Sequence, residues 1–111
     1  MDAGLSDKGV RYAERLLTEM EFERFQSQVH PAAFLAKRFA AKEALVKALG
    51  TGFRDGITWK HVGVVNDALG APRIVLSGPA EAKASALGVQ HIHLSLTDET
   101  HYALAFVVLE S

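Results

Sequence analysis

Residues 33–49 contain neither glycine nor proline, are rich in alanine, leucine, lysine and glutamate, and run directly into Gly50. That composition predicts a long helix over Ala33–Leu49, stopped by a glycine at its C-terminus. In a chain of 111 residues, a helix of that length dominates the architecture, because every other element must pack against one of its sides.

At about 100° per residue, Leu35, Phe39, Val46 and Leu49 share one face of this helix, the face expected to meet the core. Lys42 falls inside that apolar sector, and Arg38 lies beside it, near Leu45 and Leu49. The two cations are four residues apart, a spacing at which like charges repel by a few tenths of a kcal/mol, at about 0.2–0.5. Burying an uncompensated cation costs far more. An anion resolves both problems, and phosphate is the obvious candidate. The alternative is that Arg38 and Lys42 reach out from the helix edge or pair with local acids.

Glu43 and Lys47 form a second pair, in the i,i+4 order of a surface salt bridge. Ala36, Ala40 and Ala44 lie on the same sector, so this side of the helix is flat and open to close approach. A carboxylate there suits a hard divalent cation, and the lysine can reach a phosphate or a leaving oxygen. The Gly50-Thr51-Gly52 turn reads either as a helix cap or as a phosphate-contacting loop. It is not a Walker loop, since the Gly-Lys-Ser/Thr ending is missing.

Charge and composition exclude several classes. Twelve Lys+Arg against 13 Asp+Glu give a net charge of -1, without the basic footprint of a nucleic-acid binder. The absence of cysteine excludes disulfides, thiolate metal sites and a cysteine nucleophile. The longest apolar stretch, Tyr102 to Leu109, is too short to span a bilayer, and the N-terminus lacks an apolar signal core. A single domain over 1–111, acting in the cytoplasm without membrane or nucleic acid, is expected.

The remaining segments predict an α+β domain, helices packed on a mostly antiparallel sheet. A first helix is expected over Asp7–Leu17. A Thr18-x-x-Glu21 capping box opens a short second helix, which His30-Pro31 breaks. Strands are expected over Ile57–Val65 and Arg73–Ser77, with a turn through Asn66-Asp67 and Leu69-Gly70-Ala71-Pro72 between them. Pro79–Leu87 reads as a helix. Gln90–Thr97 alternates, with Ile92, Leu94 and Leu96 on one side and His91, His93, Ser95 and Thr97 on the other. Asp98-Glu99-Thr100 is a hairpin loop. His101–Glu110 is apolar on both faces and is expected to be a central strand. His91 and His93 lack an obvious third metal ligand, and no Gly-x-Ser-x-Gly elbow is present.

The run Phe34-Leu35-Ala36-Lys37-Arg38-Phe39-Ala40-Ala41-Lys42-Glu43-Ala44, followed by Lys47-Ala48-Leu49-Gly50-Thr51-Gly52 and later by His93-Leu94-Ser95-Leu96-Thr97-Asp98, resembles the holo-[acyl-carrier-protein] synthases. These are the small bacterial class of 4′-phosphopantetheinyl transferases. Similarity continues through Arg11–Thr18, Leu69–Pro72 and His101-Tyr102-Ala103, nearly the whole chain. The resemblance implies the transferase fold, a role in fatty acid biosynthesis, and transfer of phosphopantetheine from coenzyme A to a serine of apo-acyl carrier protein, with release of 3′,5′-ADP. It implies Mg²⁺ and a homotrimer with active sites between protomers. Glu43 matches the metal-binding glutamate and Lys47 the lysine near the reacting phosphates. Arg38, Lys42, the Gly50-Thr51-Gly52 turn and His93, with Ser95 and Thr97 on the same strand, match the region holding coenzyme A. Arg11 and Arg15 match the helix that docks the acidic carrier protein.

Members of that family open with a strand carrying a Gly-x-Asp motif, whose aspartate is a second Mg²⁺ ligand. Here Met1-Asp2-Ala3-Gly4 already aligns inside the family's first helix, and neither Asp2 nor Asp7 sits in such a motif. The sheet is therefore expected to lack that strand and to expose an edge. The alternative function is a catalytically weak module that binds coenzyme A or 3′,5′-ADP.

Overall fold

The computed structural model of the chain describes residues 6–98 and 102–111. Asp2, Glu99 and Thr100 of the expected hairpin loop, and His101 lie outside the described residues. Eight regular elements follow in the order α1 (Asp7–Leu16), α2 (Glu19–Phe25), α3 (Pro31–Leu49), β1 (Val62–Asn66), β2 (Pro72–Leu76), α4 (Gly78–Ala86), β3 (His91–Asp98) and β4 (Ala103–Glu110). This is the expected α+β arrangement.

Local chemistry sets most boundaries. The Ser6 hydroxyl caps α1 by accepting the Gly9 N–H at 3.2 Å. The capping box of α2 is complete: Thr18 Oγ1 accepts the Glu21 N–H at 3.2 Å, and Glu21 Oε1 accepts the Thr18 N–H at 2.9 Å. Pro31 belongs to the first turn of α3, where its missing N–H costs nothing, so α3 begins before Ala33. Gly50 ends it in a left-handed conformation, φ 81°. The strand expected over Ile57–Val65 starts late, because Trp59–His61 form a 3₁₀ turn in which His61 Nδ1 accepts the Thr58 N–H at 2.9 Å.

Among the described residues the strands form two antiparallel pairs. β1 and β2 run in register from Val62 opposite Leu76 to Asn66 opposite Pro72. Asp67 Oδ1 closes their turn, accepting the N–H groups of Leu69 and Ala71 at 2.9 Å. The Ala71 bond, with Arg73 and the Leu69 N–H, holds the Asp67 carboxyl below its ordinary range. β3 and β4 run from His91 opposite Glu110 to Asp98 opposite Ala103.

The expectation that the last strand is central needs correction. Among the described residues β4 pairs with β3 alone. Its inner residues Ala105, Val107 and Leu109 are half-buried on the side of α3, while Leu104, Phe106 and Val108 are exposed. The strand is apolar on both faces because its outer face is an uncovered apolar surface.

Two apolar clusters hold the molecule together. Ala13, Leu17, Phe25 and Phe34 join α1 and α2 to the start of α3. Leu45, Val46 and Leu49, from the end of α3, pack with Ile57, Val62 and α4. The buried face of α3 is thus rotated from the expected one. Phe34, Arg38, Ala41, Lys42 and Leu45 are inside with Val46 and Leu49, whereas Leu35 is half-buried and Phe39 is 41% exposed. The rotation follows from α1 and α2, which cover the Phe34 side of the helix.

Candidate active site

A groove of about 730 Å³ runs between α1, α3 and β4, walled by Tyr12, by Ala36, Ala40 and Ala44, and by residues 103–105 of β4. Glu43 and Lys47 line it. Their side chains are one helical turn apart, with Lys47 Nζ 3.7 Å from Glu43 Oε1, and they are 77% and 38% exposed for lysine and glutamate respectively. The flat alanine sector is the floor along which a ligand can approach both groups. A half-exposed carboxylate beside an exposed ammonium provides an oxygen ligand for a hard cation and a donor for phosphate oxygens.

Lys42 lies elsewhere. It is fully buried, and its ammonium donates to Glu21 Oε1 at 2.7 Å, to the Leu16 carbonyl at 2.7 Å and to the Trp59 carbonyl at 3.0 Å. A lysine has three N–H donors, and all three are used. The anion that compensates this cation is a carboxylate from the capping box of α2, and no donor is left for phosphate. Burial lowers the Lys42 pKa, with the Glu21 charge and hydrogen bond opposing it. The carboxylate Oε2 of Glu21 accepts the Val64 N–H at 2.7 Å, so both oxygens of this acid are engaged.

Arg38 is also buried. Its Nη2 donates to Asn66 Oδ1 at 3.1 Å, its guanidinium stands 4.2 Å from the Phe34 ring centroid, and its Nε has no hydrogen-bond partner among the described residues. Burial pulls its pKa down and nearby Arg24 adds to this, while Glu21 opposes.

The Gly50-Thr51-Gly52 turn serves α3 directly. The Gly50 N–H donates to Lys47 O, and the Thr51 and Gly52 N–H groups both donate to Val46 O. The buried Thr51 hydroxyl donates to Gly52 O at 2.8 Å. These donors satisfy helix-end carbonyls, so the turn acts as the cap of α3.

His93, Ser95 and Thr97 are exposed on the outer face of β3, as the alternation predicts. His93 Nε2 is 2.9 Å from Glu110 Oε1, which keeps the Glu110 carboxyl below its ordinary range. Opposite them on β4 stand Leu104, Phe106 and Val108. Arg11 and Arg15 are exposed on α1, with the Arg15 guanidinium 6.0 Å from the Tyr12 ring centroid. The groove therefore gathers Glu43 and Lys47 within one chain, but none of Arg38, His93, Ser95 or Thr97 lines it. Sequence reasoning missed the second role of Glu21. The available signal was a helix that puts a lysine in its apolar sector, which demands a buried acid elsewhere.

A family model described as the 4′-phosphopantetheinyl transferase superfamily matches residues 2–107. The holo-[acyl-carrier-protein] synthase of Vibrio parahaemolyticus is 48% identical over 111 residues, covering 100% of this chain and 88% of that protein. Among solved structures, the holo-[acyl-carrier-protein] synthase of Neisseria meningitidis superposes with a TM-score of 0.82 at 43% identity, over 91% of this chain and 81% of the other. The Bacillus anthracis synthase in complex with CoA (3′,5′-ADP) superposes with a TM-score of 0.77 at 35% identity, again over 91% and 81%.

Proposed function

The chain belongs to the 4′-phosphopantetheinyl transferase superfamily, and we propose that it transfers phosphopantetheine from coenzyme A to a serine of apo-acyl carrier protein. The observation that carries this reading is the pairing of Glu43 with Lys47 in a groove that one arginine-bearing helix, α1, overlooks.

In the transfer, the serine oxygen forms a bond to the phosphorus bearing the pantetheine arm, the bond from that phosphorus to 3′,5′-ADP breaks, and the serine proton passes to solvent. Phosphoryl transfer of this kind depends on positioning and charge neutralisation more than on covalent help from the protein. Lys47, exposed at the groove, donates to the phosphate oxygens and balances charge gathering on the departing 3′,5′-ADP. The small side chains of the alanine floor leave Glu43 and Lys47 open to an approaching pyrophosphate.

The donor set fits Mg²⁺. This cation is commonly held by one or two carboxylates together with substrate phosphates and water, and Glu43 offers a half-exposed carboxylate whose contact with Lys47 at 3.7 Å is longer than a hydrogen bond. When bound there, Mg²⁺ would supply charge neutralisation at the pyrophosphate. Coenzyme A is the substrate, with Arg38, His93, Ser95, Thr97 and the Gly50-Thr51-Gly52 turn proposed to border its nucleotide.

His93, Ser95 and Thr97 do not line the groove within one chain, which suits a site shared with a second copy. The uncovered Leu104, Phe106 and Val108 beside them support assembly through this face into a homotrimer with active sites between protomers. Arg11 and Arg15 on α1 suit an acidic carrier, steering encounter electrostatically. The balanced charge and cysteine-free composition suit a cytoplasmic reaction.

Mg²⁺-dependent transfer of the label from coenzyme A to apo-acyl carrier protein tests the proposal, and Glu43→Gln should abolish it. Full activity of Glu43→Gln would refute the metal role. Binding of coenzyme A with no transfer by the parent protein would favour the binding-module alternative.

A further inference from the structure

Lys42 sits on α3 between Phe34, which belongs to one apolar cluster, and Leu45, which belongs to the other. Its ammonium leaves α3 and reaches the Leu16 carbonyl at the end of α1 and the Trp59 carbonyl just before β1. Its partner Glu21 accepts the Thr18 N–H at the start of α2 and the Val64 N–H in β1. One buried ion pair thus bonds directly to α1, α2, β1 and the turn that precedes β1, at the joint between the two clusters. Its distances lie between 2.7 and 3.0 Å.

Stability alone is a poor reason for such a pair. Replacing a buried ion pair by well-packed apolar side chains is often neutral or stabilising. What the pair adds is direction: apolar side chains slide over one another, whereas each of these bonds fixes a donor against a particular acceptor. Leu16 connects this joint to the groove. Its carbonyl accepts from Lys42, and the same residue lines the groove beside Glu43 and Lys47.

We propose that Glu21 and Lys42 are a positioning pair, which holds α1 and α2 at one height along α3 so that the exposed face of α1 stands opposite Glu43 and Lys47. The pair touches neither substrate. Its catalytic consequence rests on the proposed transferase reaction: α1 presents the carrier protein, α3 presents the phosphate chemistry, and the joint sets the distance between them. A misplacement of 1 Å can cost about 100-fold in rate.

The chain contains no cysteine, so Lys8→Cys on α1 and Ala48→Cys on α3, both exposed positions, accept a pair of spin labels in the otherwise intact protein. In this background Lys42→Met should broaden or displace the inter-label distance distribution, measured where circular dichroism shows the protein folded. If Lys42→Met does not fold, Glu21→Gln serves, since it keeps one acceptor oxygen and loses the charge and the acceptor for Val64. In the unlabelled variant, transfer to carrier protein should fall by at least about tenfold per folded molecule, while coenzyme A affinity stays within about threefold. An unchanged distance distribution in a folded variant overturns the positioning role. A displaced distribution with unchanged transfer overturns its catalytic consequence. A parent protein without transfer activity refutes the proposed function instead, and the distance measurement still decides the joint.

Discussion

Replacing Phe106 by aspartate is the sharpest test of shared active sites. Phe106 is 73% exposed on the outer face of β4, in a row with Leu104 and Val108. A phenylalanine buries about 150–250 Å² when covered, so covering the exposed part removes about 150 Å² of apolar surface from water. At about 25 cal/mol per Å² that is about 4 kcal/mol for each copy. Losing it weakens each interface by nearly three orders of magnitude, at about 1.4 kcal/mol per tenfold. That figure is the upper limit of the apolar contribution, and the carboxylate adds a desolvation penalty to it. Sedimentation velocity across a concentration series should give the parent protein at about three times 12.0 kDa and Phe106→Asp near the single-chain mass. Coenzyme A affinity should fall in step with dissociation, because His93, Ser95 and Thr97 share this face. Val75→Asp, at a 53% exposed position on β2, should leave assembly unchanged. A parent protein that stays monomeric at high micromolar concentration, or a Phe106→Asp variant that sediments with an unaltered parent trimer, would refute the reasoning.

Gly78→Ala should destabilise the protein by about 2–3 kcal/mol, combining about 1–2 for a left-handed alanine with about 1 for a lost hydrogen bond. Gly78 has φ +54°, and a Cβ there would lie 2.9 Å from His61 Cδ2, whose ring is tied to the Thr58 N–H. Urea melts followed by the fluorescence of the single tryptophan, Trp59, measure this, and His61→Ala in the same background should relieve part of the cost. Glu110, whose pKa His93 depresses, adds stability that is present above its ordinary pKa of about 4.3 and is lost as pH falls through the lower folded value. His93→Gln should therefore flatten the acid limb of the melting curve at low salt, and an unchanged limb would count against that pairing. Exchanging Arg11 and Arg15 together for glutamate should raise KM for carrier protein by at least about tenfold in a salt-sensitive manner while sparing KM for coenzyme A; equal effects on both substrates would remove α1 from the docking surface.

Elements whose ends carry their own chemistry were legible in the sequence. Thr18 and Glu21 complete a box, Gly50 supplies a left-handed stop, and the alternation of β3 survives folding with its polar side outward. Elements defined by what covers them were less so. β4 reads as central because apolar residues occupy both its faces, yet burial depends on a neighbour, and among the described residues the outer face has none. The stretch from Ile57 reads as strand because its residues favour strands, but Gly56 and the Thr58–His61 cap impose a turn first. The helical wheel of α3 erred in phase for the same reason. Alanine gives the helix two nearly equivalent apolar sides, and only the docking of α1 and α2 decides that Phe34 goes in and Phe39 stays at the surface.

The Lys42-Glu43 step carries the hardest part of this reading. Neighbouring residues on a helix point about 100° apart, so at the boundary of a buried face one can be enclosed while the next meets solvent. Lys42 turns inward to Glu21, a partner 21 positions earlier that no local spacing rule connects to it, while Glu43 turns to the groove and Lys47 follows one turn later. Charge alone does not separate these fates, because a lysine that binds phosphate and a lysine that binds a buried carboxylate look identical in sequence. Burial separates them, and it makes the two neighbours fail differently. Glu43→Gln removes a surface charge and should leave the melting temperature nearly unchanged. Lys42→Met leaves Glu21 as an uncompensated buried carboxylate, which costs about 3–5 kcal/mol. If the two variants melted alike, the partition of this motif into an enclosed half and a groove-facing half would be wrong.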